Sequence, residues 1–176
     1  METFLTVSSK KCSVNNSKES LCLSEVYRHA FFHHLCRYLC SDYLNHKDLH
    51  IAVTSSDGTV VEFDRSGLMK HVEGHCWKQC IVVKDEEVDQ EHWDDTLKRL
   101  SKQPCWSPER YDESCHNCYS FVLAFLRSLD SGGLSYAAAG SKMSFCEKFI
   151  IPRTTAAGKY VSVYRRVRND GYYIQK

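Results

Sequence analysis

The feature that most constrains this fold is a helix with apolar residues on every side. Residues 118–126 read Cys-Tyr-Ser-Phe-Val-Leu-Ala-Phe-Leu, and their apolar side chains surround the whole helical circumference. A helix of this kind is predicted to be buried, because no face of it suits water. We expect residues 131–133, Ser-Gly-Gly, to end the helix, since glycine readily takes the left-handed conformation that closes helices.

A β-hairpin is predicted upstream of this helix. Residues 50–54 and 59–63 are two β-prone runs, and the turn between them contains Asp57-Gly58, which tolerates positive φ. Residues 79–83 predict a third strand after a loop that contains Gly67 and Gly74. The order of the strands in the sheet does not follow from this pattern.

Two further helices and the ends of the domain complete the expected organisation. Residues 89–101 are polar with Trp93 at an apolar position, which predicts an amphipathic surface helix, and residues 154–170 predict a last helix closed by Gly171. Residues 1–20 are rich in Ser, Lys and Asn, so we expect a flexible N-terminal segment outside the core. Residues 21–176 then form a single α+β domain, with an antiparallel sheet packed against the buried cysteine-bearing helix; residues 21–44 favour neither helix nor strand.

Composition bears on the compartment and the partner. The 23 basic and 22 acidic residues nearly balance, so we expect no nucleic-acid partner. We find no transmembrane segment and no secretory signal, and therefore expect a cytoplasmic or nuclear protein whose ten cysteines are reduced thiols. The sequence implies no cofactor, and it leaves the oligomeric state open.

Cys118 is the strongest candidate for chemistry. A thiol in the first turn of a helix meets the positive end of the helix dipole and unpaired N–H groups, which stabilise the thiolate. His50, at a strand start, is the candidate acid-base, and Glu62 is the candidate group that orients the imidazole. Antiparallel pairing across the hairpin is predicted to bring His50 and Glu62 together.

These segments resemble known families. The runs at residues 50–53 and 57–63 are similar to the segment around the catalytic histidine of the lecithin-retinol acyltransferase and small phospholipase/acyltransferase group, and residues 116–122 resemble its nucleophile segment. Permuted deSUMOylase-like peptidases share the His-Asn-Cys opening. The resemblance implies a permuted papain-like fold and a Cys118-His50-Glu62 triad, with Glu62 where the acyltransferases have a second histidine.

A closer resemblance, over residues 48–174, is to the makorin-2 opposite-strand protein family. It rests on motifs in the same order: Asp48-Leu49-His50, Trp77-x-Gln79-Cys80, Tyr111-Asp112, His116-Asn117-Cys118-Tyr119-Ser120, Pro152-Arg153-Thr154, Tyr164-Arg165 and Gly171-Tyr172-Tyr173. No established activity follows from that family. The long hydrophobic tail of many acyltransferases is missing, which favours a soluble or protein substrate over an acyl lipid.

Three interpretations stay open. In the first, the protein is a thiol hydrolase or acyltransferase acting on an amide, thioester or ester bond, with Asn117, Trp77 and Gln79 as the candidate substrate or oxyanion region. In the second it is an inactive interaction module, and Trp77, Gln79 and the helix bearing Trp93 bind a partner. The third is a zinc site, which we disfavour because no glycine-rich knuckle accompanies the cysteines, and we therefore expect no metal. Its candidate ligands, chosen by spacing, are His75, Cys76, Cys80, Cys115, His116 and Cys118.

Overall fold

In the computed structural model the described residues are 4–8, 49–72, 80–84, 88–172 and 174. Their strands form one antiparallel sheet with the order β4-β3-β2-β1-β5. The strands are β1 (Phe4–Ser8), β2 (His50–Thr54), β3 (Val60–Asp64), β4 (Gly67–His71) and β5 (Cys80–Lys84). Residues 21–44, for which the sequence favours neither helix nor strand, lie outside the described residues.

Strand β1 corrects the expectation of a wholly flexible N-terminal segment. Its Thr6 is paired with Ala52 of β2 on one side and with Val82 of β5 on the other, so β1 lies inside the sheet. The first four of the five residues Phe-Leu-Thr-Val-Ser are aromatic, aliphatic or β-branched, which suits a strand. The polar composition of residues 1–20 as a whole conceals this short run.

The predicted hairpin is confirmed, and it continues into a second one. In the first turn the Ser55 N–H donates to the Thr59 carbonyl at 2.9 Å, and Gly58 has a φ of 90°. The chain then turns again at Asp64↔Gly67, and Gly67 takes a φ of 88°. Strand β4 was expected to be loop. Its residues are weak strand formers, and pairing with β3 determines its conformation.

Five α-helices follow in the described part of the chain. They are α1 (Gln90–Ser101), α2 (Cys118–Leu129), α3 (Gly132–Ala139), α4 (Lys142–Phe145) and α5 (Ile151–Asp170). Short 3₁₀ turns lie at Pro104–Trp106 and Pro108–Arg110, and a π-helical turn at Cys146–Ile150 joins α4 to α5. Helix α1 confirms the predicted amphipathic helix, although Trp93 is fully buried and donates its indole N–H to the Thr54 carbonyl. None of the helices described here is long and apolar enough to cross a bilayer.

Helix α2 is buried as predicted, but it ends differently. Asp130, with a φ of 51°, takes the left-handed position after Leu129. Gly132 then begins α3, so the expectation that the Ser-Gly-Gly run ends α2 is wrong. A charged residue replaces glycine as the terminator, which is why the sequence pattern misplaced the boundary.

The main core lies between the sheet and α2. From the sheet it contains Ile51, Val53, Val61 and Phe63, and from α2 it contains Phe121, Val122, Phe125 and Leu126. The fold is therefore α+β, with an antiparallel sheet packed against the helix that carries Cys118. This packing brings the first turn of α2 to the beginning of β2.

Candidate functional site

The start of α2 is fixed by a capping box around Cys118. The Asn117 side-chain oxygen accepts from the Tyr119 N–H at 3.0 Å, and the Ser120 hydroxyl oxygen accepts from the Asn117 N–H at 3.2 Å. These bonds satisfy N–H groups that a helix start leaves unpaired. Cys118 is the first helical residue and is 6% exposed.

The Cys118 sulfur contacts His50 and two backbone N–H groups. Burial raises the pKa of the Cys118 thiol, but the hydrogen bond and positive charge of His50 lower it, as do the N–H groups of Ile51 and Tyr119. The net effect is a pKa below the ordinary value for cysteine. These contacts therefore stabilise the thiolate of Cys118 relative to that of an ordinary cysteine.

His50 joins the thiol to a carboxylate. Its Nε2 lies 2.6 Å from Glu62 Oε2, and Nε2 is the donor because an ionised carboxylate only accepts hydrogen bonds. The same ring forms a hydrogen bond with Cys118. Burial lowers the pKa of His50, but the hydrogen bonds and charges of Cys118 and Glu62 raise it to about 9. The imidazole is thus held between two anionic groups.

Glu62 also contacts a residue that sequence reasoning missed. Its second oxygen, Oε1, lies 2.7 Å from Nε2 of His71 at the end of β4. Burial raises the pKa of Glu62, while the hydrogen bonds and charges of His50 and His71 lower it, with a net decrease. Recognising β4 as the partner of β3 would have pointed to His71, since it then falls two residues from the position opposite Glu62.

Comparison with known proteins places the chain in a family. Residues 36–167 match the family described as DUF4796 C-terminal. The chain belongs to this family. It is 32% identical over 138 residues to the human (Homo sapiens) MKRN2 opposite strand protein, a match that covers 76% of this chain and confirms the resemblance to that family. The match spans 60% of the length of that relative. No solved structure matches the chain.

Asn117 acts as a helix cap in this DUF4796 C-terminal domain. Its side-chain N–H₂ donates to the Glu113 carbonyl at 2.6 Å while its oxygen caps α2, so both ends of the amide are occupied. The observed contacts of this side chain are those of a cap, and its candidate oxyanion role stays a prediction. Trp77 and Gln79, the other two members of the candidate substrate region, lie outside the described residues.

Cys115 and His116, two candidate zinc ligands just before α2, contact protein groups. The exposed Cys115 thiol donates to Asp112 at 3.2 Å, and the pKa of Cys115 is raised because that carboxylate favours the protonated thiol. The His116 ring stacks on Trp106 with ring centroids 5.0 Å apart, and its Nε2 lies 3.0 Å from the Cys105 carbonyl oxygen.

Of the other candidate zinc ligands, the structure describes Cys80 but not His75 or Cys76. Cys80 opens β5, and burial raises the pKa of its thiol to about 12. His75 and Cys76 lie outside the described residues. Within the described ranges, no three His, Cys, Asp or Glu side chains form a group suited to a metal ion.

A polar cavity of about 350 Å³ borders the start of α2. Its lining residues are Arg65, Pro108, Tyr111, Asp112, Glu113 and Ser114. The carbonyl of one lining residue, Glu113, accepts from Asn117, the residue before Cys118, although neither Cys118 nor His50 nor Glu62 lines the cavity. Burial raises the pKa of Tyr111, and the charge of the Cys118 thiolate raises it further.

Proposed function

We propose that this protein is a cysteine-dependent hydrolase or acyltransferase that acts on an amide, thioester or ester bond. Cys118 is the nucleophile, His50 is the general acid and base, and Glu62 orients His50. The observation that carries the proposal is the unbroken chain of contacts from the Cys118 sulfur through the His50 ring to Glu62 Oε2.

We further propose a permuted papain-like architecture for the domain. Two features support it: an antiparallel sheet against the cysteine-bearing helix, and a histidine strand that precedes the cysteine helix in the chain. The described cysteines 80, 105, 115, 118 and 146 are free thiols. This supports a reducing compartment, the cytosol or the nucleus.

The reaction proposed for these groups has two steps. In the first, the Cys118 thiolate forms a bond to the substrate carbonyl carbon, the bond to the leaving group breaks, and the His50 imidazolium gives its proton to that group. In the second, neutral His50 takes a proton from water or an acceptor nucleophile, which attacks the acyl–sulfur bond and releases Cys118. Glu62 stabilises the imidazolium in each cycle without itself being protonated.

The cavity beside the site favours a polar substrate. Arg65, Asp112 and Glu113 give its wall charged groups of both signs, and Arg65 pairs with Glu113 at 2.7 Å. A long acyl chain bound against this wall would remove water from these charged groups without offering them hydrogen bonds of its own. A peptide or another polar acyl donor fits this wall better.

Covalent trapping tests the proposal. We expect incubation with a panel of small acyl thioesters, activated esters and peptide amides to leave an acyl group on Cys118, detected by intact and peptide mass spectrometry. The adduct should be absent in Cys118→Ser and at least about 100-fold slower in His50→Ala, the usual contribution of a general acid-base. Cys115→Ser, which removes an exposed thiol, is the matched control and should keep the adduct. An equal rate in His50→Ala would contradict the proposal.

A non-catalytic interaction module is the second candidate. One observation favours it: the Cys118 side chain is 6% exposed and is not among the lining residues of the adjoining cavity. In that case Cys118→Ser leaves the cellular function intact. Loss of cellular function in Cys118→Ser, with fold and partner binding preserved, would exclude the module.

A further inference from the structure

We propose that His71 is a positioning residue of the thiol site, which holds the Glu62 carboxylate in place for His50. The inference rests on the proposed function, because it extends the triad to a fourth member. His71 belongs to β4, so the chain of contacts then runs from α2 across β2 and β3 to the edge of the described sheet.

The contacts of Glu62 carry the inference. Each carboxylate oxygen has its own imidazole: Oε2 lies 2.6 Å from His50 Nε2, and Oε1 lies 2.7 Å from His71 Nε2. Two donors on opposite oxygens fix the plane of the carboxylate, whereas a single donor leaves it free to rotate. His71 therefore fixes the orientation in which the carboxylate accepts from His50.

The backbone holds His71 in this position. Strand β4 pairs with β3 in the register Glu62↔Met69 and Val60↔His71, so His71 is the diagonal neighbour of Glu62 on one face of the sheet. Its side chain is 24% exposed against 13% for that of Glu62, so the pair is largely shielded from water. A shielded pair is weakened less by solvent and salt than an exposed one.

Two substitutions at position 71 separate positioning from packing. His71→Leu removes the N–H donor, whereas His71→Gln keeps an amide N–H near the place of Nε2. Lys70→Leu puts the same new side chain one residue away, at an exposed position of the same strand, and serves as the matched control. Thermal unfolding of each variant shows whether the fold is retained.

Two measurements on the full chain test whether His71 positions Glu62. The first is the ¹³C NMR titration of the Glu62 carboxyl group, and the second is the pH dependence of Cys118 alkylation by iodoacetamide. In His71→Leu we expect the Glu62 titration to move to higher pH and alkylation of Cys118 at pH 6.5 to fall about three- to tenfold, the effect of up to one pH unit on the thiolate fraction. His71→Gln should keep the Glu62 titration and the Cys118 alkylation close to those of the wild type. Lys70→Leu should match the wild type in both measurements.

The outcomes distinguish this inference from the proposed function. If His71→Leu matches the wild type, or if His71→Gln is as defective as His71→Leu, His71 is not a positioning residue. If the wild type alkylates at low pH and only His50→Ala changes this, the proposed function stands and the inference fails. An ordinary alkylation profile in the wild type would overturn both.

Discussion

At the scale of single residues, the candidate site depends on His50, whose imidazole interacts with both Cys118 and Glu62. Burial alone would keep this ring neutral, yet the Cys118 sulfur on one side and the Glu62 carboxylate on the other raise its pKa to about 9. The same contact lowers the pKa of Cys118. The contact thus stabilises the charged form of each group, the imidazolium of His50 and the thiolate of Cys118.

Glu62 gives a prediction about stability and pH. Its pKa is lowered in the folded state, so its contribution to stability is present above its unfolded value and is lost as the pH falls through the lower folded value. We expect Glu62→Gln to be less stable than the wild type by about 1–2 kcal/mol at pH 7, as for a hydrogen bond to a charged group. Below about pH 4.5 the difference should shrink, because Glu62 takes up a proton in the unfolded state first and in the folded state only at its lower pKa.

Urea unfolding followed by circular dichroism, at pH 7 and at several points below pH 4.5, measures this difference. Glu113→Gln is the matched control, since its ion pair with Arg65 is exposed and should contribute little at either pH. A difference between Glu62→Gln and the wild type that does not change with pH would mean that the carboxylate charge plays no part.

At the scale of the elements, β4 depends on the turn that begins it. Gly67 has a φ of 88°, and a Cβ built there would lie 2.8 Å from Cδ of Pro108 in the second 3₁₀ turn. Gly58 has a similar φ of 90°, but a Cβ there meets nothing within 4 Å. The two glycines thus share the backbone requirement and differ in the space around them.

Alanine at these two positions should therefore have different effects. We expect Gly58→Ala to cost about 1–2 kcal/mol from backbone strain alone. Gly67→Ala should cost more, because β4 or the ring of Pro108 must also move, and the displacement of β4 should slow alkylation of Cys118 through His71 and Glu62. Chemical denaturation of both variants measures the difference. Equal losses would mean that the contact between Gly67 and Pro108 has no energetic weight.

The elements also show how far sequence reasoning reaches. The hairpin of β2 and β3 and the buried helix α2 have strong local signals, and these signals placed Cys118, His50 and Glu62 on the right elements. Strand β4 has none, since Gly-Leu-Met-Lys-His becomes a strand only by pairing with β3. Missing β4 meant missing His71, because its contact with Glu62 follows from the register and not from any motif.

At the scale of the whole molecule, the sheet includes the strand β1, which precedes β2 by about 40 residues in the chain. Strand β1 lies between β2, which carries His50, and β5. The register of β1 pairs Ser8 with His50 itself, so the N-terminal residues help to hold the site. A short strand of this kind is found from its partners and not from its composition.

Substitution of Thr6 tests the place of β1. Proline at this position removes a ladder hydrogen bond within a strand that has neighbours on both sides, and we expect a loss of about 4 kcal/mol, among the largest for single substitutions. Thr6→Ala keeps the backbone N–H and should cost far less. Thermal unfolding of the two variants compares them. Equal melting temperatures would mean that residues 4–8 do not belong to the sheet.

The pH dependence of Cys118 alkylation by iodoacetamide tests the central claim most directly. Cys115 is an internal control, because its thiol is exposed but its pKa is raised by Asp112. Peptide mass spectrometry follows both thiols in one sample. We predict that Cys118 alkylates with a midpoint well below the ordinary cysteine value of about 8.5, and that His50→Ala moves the midpoint to that value or above. A wild-type midpoint at or above the ordinary value, or one unchanged in His50→Ala, would contradict the account.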